Sequence, residues 1–65
     1  MSKKQLEQIY DDIDNTIVLM TAWQCRMLSA MHRNDSEKVT ECERVLIALG
    51  IERDELVKQV RDYEI

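Results

Sequence analysis

The chain has 65 residues with one glycine, no proline and no phenylalanine, and a chain this short buries only about 60% of the surface its unfolded form exposes. That excludes two domains and a deep catalytic pocket. Thirteen acidic residues against nine basic ones give a net charge of −4, which argues against sequence-independent attraction to DNA, RNA or an anionic membrane.

From the N-terminus, Ser2 and Gln5 have the spacing of a capping box. Leu6, Ile9, Ile13, Ile17, Met20, Met27 and Met31 then recur at helical spacing within a sector about 80° wide, with Tyr10, Trp23 and Leu28 at its margins. This predicts a long first helix over about residues 3–33. Asn34-Asp35-Ser36-Glu37 breaks the pattern, and Asn34 with Glu37 predicts a second capping box at a tight reversal. A second helix over about 35–49 carries Val39, Cys42, Leu46 and Leu49 on one stripe and is expected to stop at Gly50, which suits a left-handed residue. Asp54 and Glu55 would open a short third helix over about 53–63, lined by Leu56, Val60 and Tyr63. The predicted fold is all-α and a single domain over 1–65: a long helix folded back on a medium and a short one, associated as a helical-bundle dimer.

The dimer is expected from helix 1. Val18, Ala22, Cys25 and Ser29 lie nearly opposite its core stripe, and between Ile17 and Met31 the only charged residue is Arg26. A helix apolar nearly all round is normally buried on all sides, and one folded-back segment covers one side. Val18, Ala22, Cys25 and Ser29 are therefore the expected oligomer interface, in a homodimer or, as the alternative stoichiometry, a tetramer.

Glu7, Asp11 and Asp14 make a same-sign face within two helical turns, where ion pairs that would support the helix are missing. Their expected role is docking of a protein partner. Met20, Met27, Met31 and Trp23 read as core in preference to an adaptable binding groove. Cys25 and Cys42 belong to different faces and read as small reduced thiols. With His32 the only histidine, the set makes neither a disulfide framework nor a zinc site. No nucleophile–base pair or glycine-rich phosphate loop is present, so no enzyme activity, metal or cofactor is expected. The start Met1-Ser2-Lys3-Lys4 leads into polar sequence where a signal peptide would be apolar, and Thr16 to Met31 is too short and too polar to span a bilayer. A cytoplasmic protein is expected.

These readings converge on a small acidic helical interaction factor that binds and inhibits or adapts another protein, of a size suited to a bacterial or bacteriophage accessory regulator. The alternative is an oligomeric binder of a nucleotide or other small signal, with Arg26, Arg33 and Arg44 as the phosphate contacts. An RNA-binding hairpin dimer ranks third because of the net charge.

Overall fold

A computed structural model describes residues 2–64 of the chain and places them in two helices, α1 (Lys3–His32) and α2 (Ser36–Glu64). The helices fold together as a hairpin with dimensions of 47 × 14 × 12 Å. At about 1.5 Å per residue each helix spans nearly the full long axis, so the two lie side by side along their whole length.

Local chemistry sets the ends. The Ser2 amide donates to Gln5 Oε1 at 2.8 Å and the Gln5 amide to Ser2 Oγ at 3.2 Å, the reciprocal capping box expected for α1. At the reversal the roles differ from those predicted. Asn34 is the left-handed residue, with φ of 57°. Its amide donates to the Met31 carbonyl at 3.1 Å and the Asp35 amide to the Ala30 carbonyl at 2.9 Å, the paired bonds of a Schellman turn. The N-cap of α2 is Asp35, whose Oδ1 accepts from the Lys38 amide at 3.2 Å. The capping box expected from Asn34 and Glu37 is therefore not formed: Asn34 closes α1, and Asp35 opens α2. Asp35→Ala is expected to lower stability by about 1 kcal/mol, measured as a shift of the denaturation midpoint at fixed protein concentration.

The largest departure is at Gly50. In place of separate helices over 35–49 and 53–63, α2 continues unbroken through Gly50, which does not have positive φ. Asp54 and Glu55 are interior to the helix and do not open a third one. The reason lies in the packing phase. On α2 and its N-cap the residues facing inward are Asp35, Val39, Cys42, Leu46, Leu49, Arg53, Leu56 and Val60, alternately four and three apart. On α1 they are Leu6, Ile9, Ile13, Thr16, Met20, Trp23, Met27 and Ala30, in the same alternation. Both seams repeat every 3.5 residues, the period at which two helices stay in register over many turns. A break at Gly50 would throw Arg53, Leu56 and Val60 out of phase with α1. Gly50 instead remains helical at about 1 kcal/mol less stability than alanine would give. A Cβ there would meet nothing within 4 Å.

The 3.5-residue period also corrects the core of α1. Ile17 and Met31, read from a 3.6-residue period as core, are exposed, and Thr16 and Ala30 take the inward positions. Thr16 is 4% exposed, and its hydroxyl donates to the Asp12 carbonyl one turn back at 2.8 Å, which satisfies the buried polar atom. Trp23, placed at the margin by the same reading, lies half-buried in the seam, whereas Tyr10 and Leu28 are exposed.

Candidate interaction surfaces

Two helices touching along one seam leave much apolar side chain outside. Val18 is 66% exposed, Ile47 65%, Leu28 63% and Ile51 60%. The hairpin has two flanks. In an antiparallel pair, the residue following a seam position on one helix shares a flank with the corresponding residue on the other. Met31 and Ser36 accordingly line one shallow cleft near the turn, whereas Arg26, Arg33 and Lys38 line another on the opposite flank.

The residues assigned from sequence fall on separate surfaces. Val18, Ala22, Cys25 and Ser29 are all exposed and occupy the side of α1 directly away from α2. Cys25 is an exposed thiol and Cys42 a buried one, in keeping with their placement on different faces. Glu7, Asp11 and Asp14 are likewise exposed, and no ion pair involving them is recorded among the described residues. Asp12 beside them is half-buried and accepts from Gln8 Nε2 at 3.0 Å.

The three arginines do not form one group. Arg26 and Arg33 share a cleft with Trp23, Ala30, Lys38, Glu41 and Cys42. The Arg26 guanidinium lies 4.7 Å from the centroid of the Trp23 ring, a cation–π distance, and Arg33 Nη1 reaches Ser29 Oγ at 3.5 Å. Arg44 lies apart, in a shallow cleft with Ser36, Glu37, Thr40, Glu41 and Val45. Lys38 completes the cationic group in its place. It was hidden in the sequence because its neighbourhood with Arg33 arises only when the turn folds α2 back. Lys38 also pairs with Glu41 at 3.2 Å, which reduces the positive charge of the cleft.

Among the described residues no group of three or more histidine, cysteine, aspartate or glutamate side chains is placed to hold a metal. No described helix is long and apolar enough to cross a membrane. No protein family, characterised protein or solved structure matches the chain.

Proposed function

We propose that the chain is a non-enzymatic, cytoplasmic interaction factor: a self-associating acidic hairpin that binds another protein and inhibits or adapts it. The observation that carries this reading is the amount of large apolar side chain left outside the single seam, Val18, Ile47, Leu28 and Ile51 above all, since apolar surface of this kind marks contact with other proteins. The exposed carboxylates of Glu7, Asp11 and Asp14 are assigned to the target, where they would steer a basic surface into register. Native mass spectrometry of the protein isolated from its own cells tests this. A defined complex with a larger protein is expected. A variant carrying Glu7→Lys, Asp11→Lys and Asp14→Lys is expected to bind that protein at least about tenfold more weakly, roughly 1.4 kcal/mol. Undiminished affinity would remove the acidic face from the reading.

A second reading is favoured by one specific arrangement, the cleft lined by Trp23, Arg26, Arg33 and Lys38. Guanidinium groups suit phosphate oxygens, and an indole face suits a base, so this cleft fits a nucleotide or other phosphate-bearing signal. Trp23 is the only tryptophan, and its fluorescence is a direct reporter. Under this reading, titrated nucleotides would change Trp23 emission saturably, and Arg33→Ala would abolish the change. An unaltered spectrum throughout the titration would eliminate it. Single-stranded RNA as ligand would be recognised by a steep loss of affinity with added salt.

A further inference from the structure

We infer that the flank of the hairpin carrying Tyr10, Ile17, Leu28 and Met31 on α1 and Ile47 and Val57 on α2 is covered in solution by the same flank of a second copy, forming a twofold four-helix bundle. This rests on the self-association in the reading above and moves the contact from the outer side of α1 to a surface built by both helices, on whose outer margin Glu7 and Asp14 of the acidic face also lie.

The distribution of side chains is the first argument. These six are large, apolar and between 37% and 65% exposed, and all follow the seam positions of their helices on the same side. The opposite flank has Leu19 as its large exposed apolar residue. The two flanks differ in apolar bulk and not in charge, since Glu7, Asp14, Glu43, Asp54 and Arg61 follow seam positions on the apolar side. Along α1 the apolar flank runs Ile17, Thr21, Gln24, Leu28, Met31 without a charge. Tyr10 and Val57 lie further toward the open end of the hairpin on the same flank, beyond Asp14 and Asp54.

Area is the second argument. A compact monomer of 7.7 kDa has an accessible surface of about 4,300 Å². This hairpin exposes 5151 Å². The excess, about 800 Å², belongs to the elongated shape as a whole and is comparable in size with what each partner contributes to a specific interface. Covering the outer strip Val18, Ala22, Cys25 and Ser29 would engage α1 alone. A flank-to-flank contact engages both helices of each copy, and two antiparallel pairs with 3.5-residue seams are the elements of a four-helix bundle.

The third argument is Gly50. It sits on this flank, at about the same distance from the turn as Ile17, and one chain by itself has no steric use for a glycine there, since a Cβ would meet nothing within 4 Å. A glycine in mid-helix leaves room for the backbone of another chain to approach closely, which the second copy would use.

The test is sedimentation equilibrium of the full chain, with helicity read by circular dichroism. The unsubstituted protein is expected to be dimeric. Ile17→Glu with Ile47→Glu should weaken the dimer by about a hundredfold or more, whereas Val18→Glu with Ala22→Glu should leave it intact. The reverse pattern, with the outer pair dissociating the protein and the flank pair not, overturns this assignment while leaving self-association standing. A monomer at every concentration overturns both. Hydroxyl-radical labelling of the unsubstituted protein gives a readout independent of how the variants fold. Modification of Leu28 and Met31 should fall as concentration rises through the association range while that of Leu19 stays constant, and equal behaviour of the three residues would refute the proposed flank.

Discussion

Replacing Ala30 with glutamate is expected to abolish cooperative thermal unfolding of the hairpin at concentrations where the unsubstituted chain melts in one transition. Ala30 is 1% exposed and occupies the last inward position of α1, where the chain turns and α2 begins. Overpacking the helix contact destabilises by about 1–3 kcal/mol, and desolvating a carboxylate there adds more, offset only in part by Arg26, Arg33 and Lys38 of the adjoining cleft. A chain of 65 residues has in total about 3–10 kcal/mol at its disposal. The Ala30 carbonyl also accepts the Asp35 amide, so displacement of this turn of helix would loosen the reversal as well. Far-UV circular dichroism against temperature checks the expectation. An unchanged midpoint would mean that α2 does not close over Ala30.

Asn34→Val is expected to lower stability by about 1–2 kcal/mol, and Asn34→Gly to preserve or raise it. With φ at 57°, residue 34 lies where a Cβ crowds the backbone, a penalty largest for a β-branched side chain and smallest for glycine. Asparagine is the compromise among residues with a side chain, because it visits this region readily. The effect should appear as opposite shifts of the urea midpoint for the two variants with the slope unchanged. If valine and glycine gave equal midpoints, the turn would have to use a different conformation from the one described. The penalty falls on the reversal, so it should also scale down with any treatment that separates the helices, including cleavage between Arg33 and Asp35.

The residues of the two seams show why much of the architecture was legible in the sequence and why part was not. The all-α class and the turn near Asn34 follow from helix formers interrupted once by turn formers, and those are local properties. The break expected at Gly50 was also a local inference, from the preference of glycine for helix ends. It failed because the last stretch of α2 is held by α1, and Leu49, Arg53, Leu56 and Val60 keep one phase across the glycine. The same difference separates Ile17 from Thr16. A threonine is a poor core residue by composition, but the 3.5-residue period places it inward and the hydroxyl is satisfied by the Asp12 carbonyl. A helix considered alone has a 3.6-residue period, and only a helix in sustained contact with another selects 3.5.

The candidate surfaces divide in the same way. Exposure of Glu7, Asp11 and Asp14, and of Val18, Ala22, Cys25 and Ser29, could be read from one helix, since each set occupies a single strip of α1. The cleft of Trp23, Arg26, Arg33 and Lys38 and the apolar flank of Ile17, Leu28, Ile47 and Val57 draw residues from both helices. By itself the sequence determined the helical class, the position of the reversal, the Ser2–Gln5 cap and the inward stripe of Val39, Cys42, Leu46 and Leu49. The antiparallel register decided that α2 runs through Gly50, which residues of α1 face inward, and which side chains meet across the turn. Those outcomes depend on free energy gained only when a second helix is in place, and no stretch of either helix encodes that gain alone.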